Sequence, residues 1–195
     1  MARRSSKEAI FDALERVLCR QGLAATTMEA VAAEAGLSKG GVFYHFSSKK
    51  DMLFQLMERY ERRFKEHREQ IMAELPESPS RLLKATIIAS VDHPARKHQK
   101  IGNIVALLDD AELREKIQYL KKKIYDEITA EYEHPERVAL AILATDGLWV
   151  ADMFGKPMFT ESFKQRIVRE LLAIIDEVAG GAANKGSAGT KKSKP

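Results

Sequence analysis

The chain has one cysteine, Cys19, in 195 residues, which excludes an internal disulfide. Its longest uninterrupted apolar run covers residues 138–144, far short of the roughly 20 residues a bilayer crossing requires, so no membrane segment is expected. The opening MARRSSKEAI is charged and has no apolar core, so no export signal is read there, and a reducing cytoplasm is the expected compartment. Sustained apolar–polar alternation is missing too, which argues against strands. The five histidines, His45, His67, His93, His98 and His134, show neither the H-E-x-x-H pattern nor Cys/His zinc spacing. No metal and no cofactor is expected on that basis.

With 45% hydrophobic and 31% charged residues, the chain can bury one sizeable core or two small ones. Its +4 formal charge is unevenly spread: residues 1–50 carry eight Lys/Arg against five Asp/Glu, and residues 180–195 carry four lysines and no acid. The body between them has 20 basic and 23 acidic residues. A basic head on a slightly acidic body suits a polyanion partner. The end of the chain, AGGAANKGSAGTKKSKP, offers nothing large to bury and reads as a disordered basic tail over residues 180–195.

Everything else repeats at helical spacing, so the fold class expected is all-α with about nine helices. A capping box from Ser5 to Glu8 opens a helix burying Ile10, Leu14, Val17 and Leu18, which Gly22 ends. A box from Thr26 to Glu29 opens a short second helix, Gly36 supplies a left-handed turn, and Ser38 caps a third helix with Val42 and Phe46 inward. Ser48 with Asp51 starts a long amphipathic helix to Leu75. Five more follow: one before the His93-Pro94 break, then approximately 98–108, 110–131, 135–154 and 161–179.

Two short helices joined across Ala35-Gly36-Leu37-Ser38 have the form of a helix-turn-helix, whose second helix enters the major groove of DNA. The residue types fit that use. Ser38 turns free N–H groups and a positive dipole end outward, Lys39 adds charge, and Gly40 and Gly41 remove side chains that would hold a duplex away. Keeping those glycines in a helix costs about 1 kcal/mol each relative to alanine. Phe43, Tyr44 and His45 offer an apolar face for a thymine methyl and polar tips for phosphates or base edges.

The stretch from Thr26-Thr27-Met28 through Ala35-Gly36-Leu37-Ser38-Lys39-Gly40-Gly41-Val42-Phe43-Tyr44-His45-Phe46 to Lys49 and Leu53 resembles the DNA-binding domain of the TetR family of bacterial transcriptional regulators. The resemblance covers about residues 6–53. It implies that Thr26 or Thr27 and Lys49 grip phosphates while Ser38 to His45 face the groove. It implies also an all-α homodimer whose larger C-terminal domain binds a small effector and releases the DNA, most often as a repressor. Gly41 and Phe43 depart from the family's frequent small hydroxyl or alanine and tyrosine, so two phosphate contacts are absent or moved to Tyr44.

Three segments are therefore expected: residues 1–48, the arm and helix-turn-helix; residues 49–179, a connecting helix with the effector-binding and dimerisation domain; and the tail. The last two helices are apolar on more than one side, at Val138, Leu140, Leu143 and Leu148 and again at Phe163, Ile167, Leu171 and Ile175. Packing against a second copy of the chain accounts for that surplus. A dimer would set two recognition helices about 34–36 Å apart on a near-palindromic operator. Candidate effector-lining residues are Ile104, Leu107, Leu108, Tyr119, Trp149, Met153 and Phe154, with Asn103 and Asp146 as polar contacts, which suits a small, largely apolar ligand.

Gly36-Leu37-Ser38-Lys39-Gly40 also fits the G-x-S-x-G pattern of serine hydrolases, but that elbow needs a strand leading into the serine, and a helix precedes it here. The expected protein is a nucleoid-associated DNA-binding regulator and not an enzyme, with a chromosome-organising or division role on the same fold as the alternative.

Overall fold

The computed structural model describes residues 6–92, 111–129, 132–152 and 158–186. Within them the chain forms eight helices and no strand: α1 (Ser6–Ala25), α2 (Met28–Ala35), α3 (Lys39–Phe43), α4 (Lys49–Glu74), α5 (Arg81–Asp92), α6 (Ala111–Thr129), α7 (Pro135–Asp152) and α8 (Glu161–Gly186). The all-α reading holds. The helix expected over residues 98–108 lies outside the described residues.

One unit comprises residues 1–63 and 98–118. Its core joins Ile10, Phe11, Leu14, Val17 and Leu18 of α1 to Met28 and Val31 of α2, Val42 and Phe46 around α3, and Met52, Leu53 and Leu56 of α4. The spacing within α1 puts its apolar side chains on one stripe, and each fully buried Leu, Ile or Phe contributes about 1.5–3 kcal/mol. Phe11 and Phe46 meet edge to face with centroids 5.3 Å apart, which pins the end of α3 to α1.

The ends of these helices follow from local chemistry. Gly22 takes φ 73° and ψ 175°, a non-helical conformation that breaks the regular run of α1 where the sequence places its end and leaves a kinked last turn. Thr27 caps α2, its Oγ1 accepting from Ala30 N at 3.1 Å. The expected cap at Thr26 is corrected: its hydroxyl instead donates to Gly22 O at 2.7 Å, and the side chain is buried. Gly36 stands at φ 67°, where an L side chain is strained. From there the N–H groups of Gly36 and Leu37 reach back to Ala33 O and Ala32 O, which turns the chain into α3. Ser48 Oγ accepts from Asp51 N, while Asp51 Oδ2 accepts from Ser47 N at 2.7 Å, so the start of α4 is satisfied from both sides. These donors hold the Asp51 carboxyl below the usual range, Gln55 contributing most.

The second unit comprises residues 64–97 and 119–195. Leu83 and Ile87 of α5, Val138 and Ala141 of α7, and Leu171, Ile175 and Val178 of α8 form its core. Beside it, Asp176 accepts from Ser80 Oγ at 3.1 Å and pairs with Lys84 at 2.5 Å, while Tyr132 donates to Pro79 O. The Lys84 contact is the main cause of the lowered Asp176 pKa. Leu140 (65% exposed), Leu143 (62%) and Val150 remain on the surface of α7, as does Phe163 on α8.

The last helix runs to Gly186, seven residues past the expected stop at Ala179. Extending a formed helix costs far less than starting one, and the alanines at 182 and 183 partly offset the glycines at 180 and 181.

Candidate nucleic-acid interface

Four helices build the site. The α1 stripe and the first turns of α4 form a platform, and α2 and α3 lie on it, joined by the Gly36 turn. Ser38 caps α3 with extended backbone, its Oγ accepting from Gly41 N at 3.1 Å. Val42 and Phe46 turn inward and are fully buried. With the inner face of this short helix fixed by those two anchors, its other residues face outward: Ser38, Lys39, Gly40, Phe43 and Tyr44 are exposed, and Tyr44 is 85% exposed.

Lys39 Nζ sits 2.6 Å from Glu29 Oε1 of α2 and 5.6 Å from the centre of the Phe43 ring. His45 is held from the other side, its Nε2 2.7 Å from Ser6 Oγ at the start of α1, with the Tyr44 ring edge-on at 5.1 Å. Lys49 Nζ donates to Leu23 O at 2.6 Å, closing the bent end of α1, and partial burial lowers its pKa. An ammonium has three donors, so this bond leaves two for another acceptor.

The structure thus gathers Thr27, Ser38, Lys39, Gly40, Gly41, Phe43, Tyr44, His45 and Lys49 around α2 and α3. Thr26 is the exception, because its buried hydroxyl is spent on Gly22 O. Two participants escaped the sequence reading. Glu29, which its spacing places in a capping box with Thr26, instead reaches Lys39, Thr27 being the cap. Ser6 carried no signal linking it to His45.

The candidate effector residues fare differently. Asn103, Ile104, Leu107, Leu108, Met153 and Phe154 lie outside the described residues, as does the side chain of Trp149 on α7. Tyr119 is 70% exposed on α6, and Asp146 is half-buried on α7. Among the described residues, no group of three or more His, Cys, Asp or Glu side chains could hold a metal ion. No helix among them is long and apolar enough to cross a membrane.

The family models agree with this architecture. Residues 10–56 match the model for bacterial regulatory proteins of the tetR family, and residues 80–176 match a tetracyclin repressor-like C-terminal domain. The chain belongs to the TetR family of bacterial transcriptional regulators. Helices α1 to α3 lie in its DNA-binding N-terminal domain.

YerO of Bacillus subtilis, an uncharacterised HTH-type transcriptional regulator, is 30% identical over 149 residues, covering 75% of this chain and 50% of YerO. The chain spans about half the length of the curated relatives it matches first. A TetR-family transcriptional regulator of Streptomyces coelicolor shares the fold at a TM-score of 0.70 with 14% identity, over 89% of this chain and 96% of that one. The multidrug binding protein EbrR, complexed with malachite green, does so at a TM-score of 0.64 with 19% identity, over 85% and 96%.

Proposed function

We propose that this TetR-family protein is a homodimeric repressor that holds a near-palindromic operator and leaves it when a small, largely apolar effector binds. The observation that carries the DNA reading is the outer face of α3. A serine cap, a lysine, an exposed glycine and an 85% exposed tyrosine stand together there, above two side chains buried in the core. Phe43, Tyr44 and His45 would read the groove. The remaining donors of Lys49, with Thr27, would meet phosphates, which position a protein without reading sequence.

Leu140, Leu143 and Val150 on α7 and Phe163 on α8 support dimerisation through these two helices, because large apolar side chains seldom cluster on a free surface. Effector binding in the C-terminal domain rests on family membership and on the malachite green complex of EbrR. It would act by favouring a state with a different spacing of recognition helices, to the extent that it binds that state better. A regulator of this kind works on the nucleoid, in the cytoplasm.

Selecting genomic fragments on the purified protein tests the reading, with its mass measured by light scattering. Retention of one or two promoter fragments by a dimer is expected. Hundreds of dispersed sites would indicate a chromosome-organising role instead, and a monomer at micromolar concentration would contradict the two-half-site mechanism.

A further inference from the structure

We propose that Glu29 restrains DNA affinity by holding, in the free protein, the Lys39 ammonium that a DNA phosphate takes on binding. The inference rests on the DNA-binding reading above. Lys39 is the first residue of α3 and projects from the exposed face of the site. Its ammonium is not waiting in solvent: it lies 2.6 Å from Glu29 Oε1, with both side chains more than half exposed. The Lys39 contact is the foremost cause that lowers the Glu29 pKa and keeps its carboxylate ionised.

Glu29 therefore holds the lysine at the start of α2, and that ammonium is a donor a phosphate oxygen would use. A duplex that engages Lys39 must displace this carboxylate and leave it near the phosphates. That penalty is the same for every sequence. It therefore weakens the random and the selected duplex by the same factor, so Glu29 sets the overall affinity of the site rather than its sequence preference. It also reduces the salt dependence, since the counterion released from DNA at Lys39 is offset by a cation drawn to the freed Glu29.

A purely structural ion pair tying α3 to α2 predicts the opposite sign. Breaking it would loosen α3 and weaken binding to any DNA.

The test uses the full chain, a random-sequence duplex and the genomic fragment it selects, titrated by fluorescence anisotropy from low to moderate salt. Glu29→Gln is expected to tighten the random duplex about two- to fivefold, the size of a typical exposed charge pair, and to steepen the log–log salt slope by up to about one. The selected fragment should gain by the same factor. Glu34→Gln is the control for net charge. It removes the same charge from α2, but on the side that pairs with Arg16 and Arg20 of α1, and should have under half the effect. In a Lys39→Ala background the Glu29→Gln gain should vanish. Equal gains from Glu29→Gln and Glu34→Gln, a gain that survives loss of Lys39, or weaker binding by Glu29→Gln would each overturn the proposal while leaving the DNA-binding reading intact. Wild-type protein that binds neither duplex at low salt would remove both.

Discussion

Arg59→Ala is expected to destabilise the N-terminal unit by about 3 kcal/mol, the lower end of the cost of stripping one partner from a buried ion-pair cluster. Arg59 is wholly buried. From α4 it donates to Asp12 at 2.5 Å and Glu15 at 2.9 Å, its Nε lies 3.0 Å from Glu8, and its guanidinium covers the Phe11 ring at 5.3 Å. The three acids sit on successive turns of α1, so one cation fastens most of that helix to α4. Removing it leaves a cavity beside Phe11 and three carboxylates facing one another. Their side chains are 21–34% exposed, so water screens part of the repulsion, and this favours the lower figure.

A loss of that size should lower the melting transition of the unit by more than about 10 °C and abolish DNA binding with it. The deficit should also depend on pH. In the native protein, burial raises the Glu15 pKa, and Arg59 is the leading influence pulling it down. Without Arg59 the folded pKa rises further above the unfolded value. A group raised in this way favours the folded state below its unfolded pKa, and that advantage is lost as pH rises through the folded pKa. Thermal unfolding of Arg59→Ala should therefore approach wild type as pH falls from 7 to 5. A deficit below about 1 kcal/mol, or one that widens on acidification, would show that Arg59 does not anchor the unit.

The second large effect separates stability from function. Neither Gly40 nor Gly41 has a positive φ, and a Cβ at either position fits within the protein. At Gly40 the nearest neighbour would be Ser38 Oγ at 3.9 Å; at Gly41, Ser38 Oγ at 3.5 Å and Leu37 Cβ at 3.7 Å. Folding therefore does not require glycine at either place, and alanine should stabilise α3 by up to about 1 kcal/mol through helix propensity and a less disordered unfolded chain. Gly40 is exposed, whereas Gly41 is half-buried against Leu37. Gly40→Ala is accordingly expected to weaken operator binding tenfold or more while raising or preserving the melting temperature, because its methyl group lies where the duplex approaches. Gly41→Ala should stabilise with a smaller loss, since its methyl group folds back on the protein. Unchanged affinity in Gly40→Ala would mean that α3 keeps its distance from DNA.

Much of this was legible in the sequence because it depends on neighbours along the chain. The Ser38 cap, the left-handed Gly36, the inward Val42 and Phe46 and the amphipathic α1 follow from spacing and side-chain chemistry alone. What escaped depends on distance in space. Arg59 reads as one more charge in the run ERYERRFKEHRE, and only the approach of α1 within reach of its guanidinium explains its burial. Thr26 and Thr27 are equally good caps by type, and the bend at Gly22 decides between them by supplying an acceptor to the first. That choice moves Glu29 out of the capping box and toward Lys39.

The central claim is that the outer face of α3 lies in the major groove of DNA. Protection of guanine N7 from methylation on the selected fragment tests it most directly, since that atom is reached only from the major groove. Two protected patches about 10–10.5 base pairs apart, or a multiple of that spacing, are expected in wild-type complexes, with weaker protection for Gly40→Ala at equal protein concentration. Retention of the fragment with every guanine N7 still reactive would contradict it.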